Sequence, residues 1–167
     1  YSVTKVAAED LCKMYYTLWG LDTVSLRYFN VYSEDQPANG PYATAICNWM
    51  QYIRDKKDPF ITGDGNQRRD MLHVDDAVSA NIFAMNSDKD FNGKNYDVGT
   101  GDNVSLNEIK EVIELLHPDI NFEFRENRPN EVASTKADIY PLKKLGWQTE
   151  ISIKKGIFRC FKQLQKA

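Results

Sequence analysis

The stretch KNYDVGTGDNVSLNEIKEVIELL, residues 94–116, decides the class of fold, because it predicts a strand, a glycine turn and a helix in direct succession. Ser105 and Glu108 form a capping-box pattern at the start of the predicted helix. The same alternation of strands and helices runs through the rest of the chain. The sequence therefore predicts an α/β fold.

The glycine turn inside this stretch has the strand, G-x-G, helix order of a nucleotide-binding loop. The third glycine of the dinucleotide fingerprint is missing, because Val104 stands in its place. No acidic residue ends a following strand where that fingerprint requires one. A tight turn with a helix cap is favoured over a phosphate cradle, and Gly99 and Gly101 are predicted to be turn residues.

The pattern extends outward from this stretch in both directions. Hydrophobic periodicity and turn chemistry predict helices over residues 2–19, 42–57, 74–86, 137–147 and 152–166, and strands over 23–29, 120–126 and, as two short strands around a Gly-Asp-Gly turn, 59–72. Gly20 and Gly146 are placed to end two of the helices, and Asp138 could cap one. Asp75 and Asp76 fall in the first turn of another, where they would complement the helix dipole.

Composition bounds the class of protein. The 167 residues suffice for one domain with a core, and 42% hydrophobic and 27% charged residues are ordinary for a soluble globular protein. A net charge of −3 argues against a nucleic-acid surface. No apolar run approaches membrane-spanning length and no signal-peptide pattern is seen. Cys12, Cys47 and Cys160 lack C-x-x-C spacing, which indicates free thiols in the cytoplasm rather than a disulfide framework or metal site.

The segment YSVTK, residues 1–5, opens the chain with a tyrosine four positions before a lysine. On a helix, Tyr1 and Lys5 lie one turn apart on the same face. An ammonium beside a phenol favours the phenolate, so the pair could act as a general acid/base near neutral pH. When the pair is considered alone, an ordinary helix start is the better explanation.

Six motifs in a fixed order decide between these interpretations: YSVTK (1–5), LRYFNVY (26–32), NGPYATAICNW (39–49), FITGDGNQRRDMLHVDDAVSAN (60–81), YDVGTG (96–101), and RPNEV (128–132) followed by KKLGW (143–147). Together they resemble the C-terminal half of the extended short-chain dehydrogenase/reductase family, and within it the NAD-dependent nucleotide-sugar epimerases and dehydratases. In that family a nucleotide-binding half with a glycine-rich loop, and a catalytic Ser/Thr, precede the Tyr-x-x-x-Lys helix. The resemblance implies that this half is absent and that the chain is a fragment.

The resemblance implies a division of the chain into two parts. Residues 1–32 and 94–104 would be the remaining part of a doubly wound, Rossmann-like sheet. Residues 33–93 and 105–167 would form the smaller substrate-binding cap.

Catalytic and cofactor roles follow from the same resemblance. Tyr1 resembles the base that removes a sugar hydroxyl proton while hydride passes to NAD. Lys5 resembles the lysine that activates this tyrosine and holds the nicotinamide ribose. Tyr28 matches a residue beside the nicotinamide, so Tyr1, Lys5 and Tyr28 are the predicted cofactor-binding residues. No metal is implied.

The resemblance also implies contacts to the diphosphate and ribose. Asn30 matches a position that contacts the diphosphate, and Arg69 and Arg128 match two arginines that clamp it. The neighbouring Arg68 competes with Arg69 for this role, and spacing favours Arg69. Glu131, where an Asp is more usual, would accept the ribose hydroxyls. A loop asparagine and surface arginines in salt bridges are the structural alternatives.

The base and the sugar have predicted contacts as well. Thr44 and Ala45 match positions lining the base, Phe60 matches an aromatic that stacks on it, and Thr62 matches a polar neighbour. Helix packing and an ordinary core phenylalanine are the alternatives. Thr135, seven residues after Arg128, would border the sugar, and its small side chain would leave room for an N-acetyl group. Its alternative is a threonine that faces solvent.

The predicted function of the intact protein is that of a nucleoside-diphosphate-sugar 4-epimerase, with the isolated chain inactive. The reaction would oxidise carbon 4 transiently, turn the keto sugar and return the hydride to the other face. A sugar-nucleotide 4,6-dehydratase and a non-catalytic binding or assembly module are the alternatives. The predicted partners are a nucleotide sugar, UDP-sugars favoured, and further copies of the chain in a homo-oligomer, with no nucleic acid and no membrane.

Overall fold

The computed structural model describes residues 1–40 and 43–166. Its helices are α1 (Ser2–Trp19), α2 (Ala45–Arg54), α3 (Val74–Asn86), α4 (Leu106–Leu116), α5 (Tyr140–Leu145) and α6 (Ile153–Lys162), the last continued by a 3-10 turn over Gln163–Lys166. Its strands are β1 (Val24–Tyr28), β2 (Asn30–Tyr32), β3 (Phe60–Thr62), β4 (Arg68–Arg69), β5 (Met71–His73), β6 (Lys94–Val98), β7 (Val104–Ser105) and β8 (Glu123–Arg125). The mixture confirms the predicted α/β class.

The helix ends follow from capping chemistry in the sequence. Gly20 ends α1 in the left-handed conformation, with φ of 67°, and its N–H donates to the carbonyl of Tyr16. Ser105 and Glu108 form the predicted capping box of α4: the Glu108 N–H donates to the Ser105 hydroxyl at 3.1 Å, and the Ser105 N–H donates to the Glu108 carboxylate at 2.8 Å. Thr44 caps α2, which therefore begins later than predicted; predicted position Tyr42 lies outside the described residues.

The strands pair with distant segments rather than with their neighbours. β1 runs parallel to β6, β2 parallel to β5, and β3 parallel to β8, whereas β4 and β7 are antiparallel. The prediction of short strands around the Gly-Asp-Gly turn in residues 59–72 is confirmed, with two strands rather than one after the turn. That segment contributes to β3, β4 and β5, and none of the three pairs with another. β2 lies beyond the predicted 23–29 strand and pairs with the distant β5.

Buried side chains form two clusters. The larger one packs α2, α4 and α6 together, and its centre includes Ile46, Ile109, Ile157 and Phe161, each at most 1% exposed. The second lies between the β1–β6 pair, α3 and α5, and includes Leu72, Val98 and Trp147. This second cluster contains residues from both predicted parts, the sheet remnant and the cap, so it does not separate them. The predicted boundaries between the two parts stay a prediction.

Asp75 and Asp76 occupy the first turn of α3, as predicted. Asp76 has a further role, since it is buried and its carboxylate accepts hydrogen bonds from the backbone N–H groups of Glu150 and Ile151 at 2.9 and 3.1 Å. It therefore fastens the chain before α6 to the start of α3.

The longest helix, α1, has no buried residue. Val3 and Leu18 expose 81% and 64% of their surface. No helix in residues 1–40 and 43–166 combines the length and apolar character needed to cross a membrane.

Candidate functional site

A cavity of about 320 Å³ lies beside α2, between β2, β3 and β4. Eight of the nine predicted substrate residues line it: Asn30, Thr44, Ala45, Phe60, Thr62, Arg69, Arg128 and Glu131. They come from five separate stretches of the chain. The fold therefore assembles in one place the residues that sequence matching identified singly.

One wall of the cavity is a face of α2. Thr44 caps this helix, and Asn48 and Tyr52 follow it at intervals of four residues, so all three project from one side. Asn48, Tyr52 and the neighbouring Gln67 were missed as site residues. The four-residue spacing after Thr44 is the sequence signal that could have identified the first two.

Phe60 forms a fixed aromatic wall. The Tyr52 ring meets it edge to face, with centroids 5.8 Å apart and planes at 84°. The guanidinium carbon of Arg125 lies 3.7 Å from the Phe60 centroid. These contacts on two sides hold the ring in place beside the cavity.

The neighbouring arginines Arg68 and Arg69 point in different directions. Arg68 is bound away from the cavity by the Glu108 carboxylate at 2.8 Å and by the Asn103 side-chain oxygen at 2.8 Å. Arg69 lines the cavity, and its guanidinium lies 3.3 Å from Oε1 of Glu131. This geometry agrees with the sequence spacing, which favoured Arg69.

The polar groups of the cavity are incompletely paired. Oε2 of Glu131 is buried and has no hydrogen-bond partner among the described residues. Arg128 is exposed at the rim and forms no ion pair with any described residue. With two guanidinium groups and one carboxylate, the cavity carries one positive charge in excess. Such a site favours an anionic ligand that also carries hydroxyl donors.

A second cleft, of about 640 Å³, contains the predicted cofactor residues Tyr1, Lys5 and Tyr28. The Lys5 ammonium lies 5.4 Å from the centre of the Tyr1 ring, as expected for residues one turn apart. Thr44 lines both the cleft and the cavity, so the two spaces adjoin.

The chain at β2 separates these two spaces. Asn30 faces the cavity, while its neighbours Phe29 and Val31 line the cleft. Successive side chains of an extended strand point to opposite sides, which explains this division. The side-chain amide of Asn30 donates to the backbone carbonyl of Asp70 at 2.9 Å, which fixes its orientation.

Thr135 is the predicted substrate residue that lines neither space. Its backbone N–H donates to the carbonyl of Arg68 at 3.1 Å, and its hydroxyl oxygen is buried without a partner among the described residues. The alternative of a hydroxyl facing solvent therefore does not describe it. Its role beside the sugar stays a prediction. No group of three or more His, Cys, Asp or Glu side chains in the described part of the chain is arranged to hold a metal ion.

The parallel pairing of β1 and β6, packed against helices, places the chain in the Rossmann-like class of α/β folds. More particularly, the chain belongs to the NAD dependent epimerase/dehydratase family, whose model matches residues 1–99.

Relatives from three organisms illustrate the likeness. The UDP-glucuronate 4-epimerase of Thermodesulfobacterium geofontis is 36% identical over 162 residues, which cover 95% of this chain and 48% of that protein. A UDP-N-acetylglucosamine 4-epimerase from Methanobrevibacter ruminantium M1, solved with UDP-N-acetylmuramic acid, superposes with a TM-score of 0.88 at 30% identity, covering 99% of this chain and 53% of that one. A UDP-glucuronic acid 4-epimerase from Bacillus cereus, solved with UDP-glucuronic acid and NAD, superposes at 0.83 and 28% identity, covering 98% and 52%. The chain spans about half the length of the curated relatives it matches.

Proposed function

We propose that this chain carries the substrate site of an NAD-dependent nucleoside-diphosphate-sugar 4-epimerase, together with the catalytic tyrosine and lysine. The observation that carries the proposal is the convergence of eight separately predicted substrate residues on one cavity. The adjoining cleft with Tyr1 and Lys5 supports the same proposal, because hydride transfer at the sugar requires the substrate and cofactor spaces to meet, and the two spaces share Thr44.

The diphosphate would lie between Arg69 and Arg128. A planar guanidinium donates two parallel hydrogen bonds to a phosphate, and two such groups offset the two charges of a diphosphate. Arg69 is held by Glu131, so it is already oriented. Arg128 has no described ion-pair partner and is free to close on the ligand from the rim.

The nucleoside would occupy the end of the cavity next to Phe60. The supported aromatic ring offers a stacking surface for a base. The unpaired Oε2 of Glu131 can accept a ribose hydroxyl hydrogen, which would satisfy a buried acceptor that is otherwise costly. Thr44 and Thr62 add hydroxyl groups to the same walls.

The sugar would extend past Thr44 toward Tyr1. There Tyr1, as the phenolate, would accept the proton of a sugar hydroxyl to become the phenol and would later return it, with the Lys5 ammonium 5.4 Å from the ring centre. When bound, NAD supplies the hydride acceptor and donor. Tyr1, Lys5 and Tyr28 would hold its nicotinamide end, and their shared cleft has the size and the lysine donor that a nicotinamide ribose requires.

Calorimetric titration of the 167-residue chain with UDP and with uridine tests this proposal. We expect UDP to bind and uridine to bind more weakly by at least about tenfold, because uridine lacks the phosphates that the arginines recognise. Arg69→Ala should reduce this difference. Equal affinity for UDP and uridine, or no binding of UDP by folded chain, would contradict the proposal.

A further inference from the structure

Asp70 is a fully buried carboxylate that does not line the candidate substrate cavity. Its Oδ1 accepts from the backbone N–H and from the hydroxyl of Thr100, both at 2.8 Å. Its Oδ2 accepts from the backbone N–H groups of Gly101 and Ala137 at 3.0 and 3.1 Å. Four donors therefore converge on one side chain from two loops far away in sequence.

The glycine turn after β6 is shaped around this carboxylate. A Cβ atom at Gly99 would lie 2.8 Å from Oδ2 of Asp70 and 2.5 Å from the Cβ of Ala137, so only glycine fits. The turn that resembles a phosphate cradle in sequence thus encloses an internal anion. Backbone N–H groups of such turns suit a carboxylate as well as a phosphate.

Asp70 also connects the glycine turn to the cavity. Arg69 and Met71, its two neighbours in the chain, both line the cavity, whereas Asp70 points the opposite way. In extended backbone, fixing one side chain on one face fixes its neighbours on the other. The carbonyl of Asp70 also accepts the side-chain amide of Asn30 at 2.9 Å.

We propose that Asp70 is a positioning residue for the nucleotide-sugar site, which sets the direction of Arg69 and the placement of Asn30. This inference rests on the proposed function. The anchored Asp70 carboxylate sets which of the two adjacent arginines faces the phosphates. The backbone carbonyl of Asp70 holds Asn30 beside those phosphates. The glycine turn after β6 supplies hydrogen-bond donors that hold the Asp70 carboxylate in place.

The negative charge matters more than the shape of the side chain. An asparagine at position 70 would present an NH₂ group to backbone N–H donors, leaving buried donors without an acceptor. Charge-assisted bonds to a carboxylate are also stronger than their neutral counterparts. Asp70→Asn should therefore loosen the anchor while keeping the volume of the side chain.

Asp76→Asn is the matched control. Asp76 is also a buried carboxylate that accepts two backbone N–H groups, but it does not line the cavity. Both variants should be less stable than the parent. At a temperature where both are folded, we expect UDP to bind Asp70→Asn at least about tenfold more weakly, and Asp76→Asn within about twofold of the parent.

A second readout needs no ligand. In ¹H–¹⁵N spectra of the free chain, the side-chain signals of Asn30 and Arg69 should shift in Asp70→Asn and in Gly99→Ala, and stay in place in Asp76→Asn. If the parent fails to bind UDP, the proposed function fails, while these spectra still decide the role of Asp70.

Unchanged Asn30 and Arg69 signals in Asp70→Asn, or equal loss of UDP affinity in both Asp variants, would overturn the inference. Should Asp70→Asn fail to fold, Thr100→Val takes its place in both measurements, because it removes a single hydroxyl donor from the carboxylate. The same shifts and a smaller loss of affinity are expected from it, and the absence of both would overturn the inference.

Discussion

Arg69 and Arg128 face the same cavity with different surroundings. Arg69 is mostly covered, with 17% of its side chain exposed, and is paired with Glu131. Arg128 is exposed and has no described ion-pair partner. Arg69 should therefore contribute to both folding and ligand binding, whereas Arg128 should contribute mainly to ligand binding.

Arg128→Ala should weaken UDP binding by about 2 kcal/mol, the loss expected for a charge-assisted bond to a phosphate. The free energy of unfolding should change by less than about 0.5 kcal/mol, because the side chain is exposed. Calorimetry and urea denaturation measure the two quantities. Arg54→Ala, another exposed arginine that does not line the cavity, is the control and should retain parental affinity. Parental UDP affinity in Arg128→Ala would rule out its assignment.

Thr135→Val should stabilise the chain by about 1 kcal/mol. The Thr135 hydroxyl is buried without a described partner, and valine replaces it with a methyl group of the same shape. Thr100→Val is the opposite case, because the Thr100 hydroxyl donates to Asp70, and it should destabilise. Thermal or urea unfolding compares the two. A Thr135→Val chain less stable than the parent would show that the hydroxyl has a partner in solution.

At the scale of elements, local signals in the sequence predicted the helices well. The bounds of α1 and α3 match the prediction residue for residue. Gly20 ends α1 where its periodic pattern stops, and His73 caps α3 where its pattern begins. The candidate substrate residues were predicted through motif resemblance, and eight of them line one cavity.

The pairing of the short strands and the contacts of Asp70 could not be predicted in the same way. β3 and β5 exist because of partners at residues 123–125 and 30–32, and no local pattern encodes such pairings. The four donors to Asp70 lie 30 to 67 residues further along the chain. Only the fold reveals that the glycine turn and the RRD motif belong to one structure.

The capping box of α4 should make stability depend on pH. The backbone N–H of Ser105, and then Arg68, lower the pKa of Glu108 below its usual value of about 4.3. A depressed carboxyl pKa stabilises the fold above the unfolded value, and this contribution is lost as the pH falls through the folded pKa. Glu108→Gln should therefore be less stable than the parent at pH 7 by about 0.5 kcal/mol, a small figure because the side chain is 45% exposed and solvent screens it.

Urea unfolding of the parent and of Glu108→Gln between pH 2 and pH 7 tests this prediction, and the difference should vanish toward the acid end. Glu111→Gln, on the same helix but outside the capping box, provides the baseline. A difference between parent and Glu108→Gln that does not change with pH would contradict the assignment.

At the scale of the whole molecule, the exposed surface of α1 favours association between copies of the chain. Its exposed apolar side chains, together with a β1 strand that pairs on one edge with β6 and on its other edge with no described strand, form the kind of surface that drives contacts between copies. We expect the chain to sediment faster than its 19.2 kDa monomer at micromolar concentration. Val6→Glu combined with Leu18→Glu should shift it toward the monomer.

Leu115→Glu is the control for that experiment, because Leu115 is 85% exposed but lies on α4. It should leave the sedimentation coefficient unchanged. A parent chain that stays monomeric at micromolar concentration would contradict the prediction of a homo-oligomer.

The distant pairing of the strands has a consequence for synthesis on the ribosome. Val24 pairs with Lys94, which is made 70 residues later. At about 5–20 residues per second, β1 waits roughly 4–14 seconds before its partner has been translated. During that interval its backbone N–H and C=O groups are open to other chains, beside the exposed apolar helix that precedes it. The risk of pairing with other chains is therefore greatest before translation is complete, and slower translation would lengthen this interval.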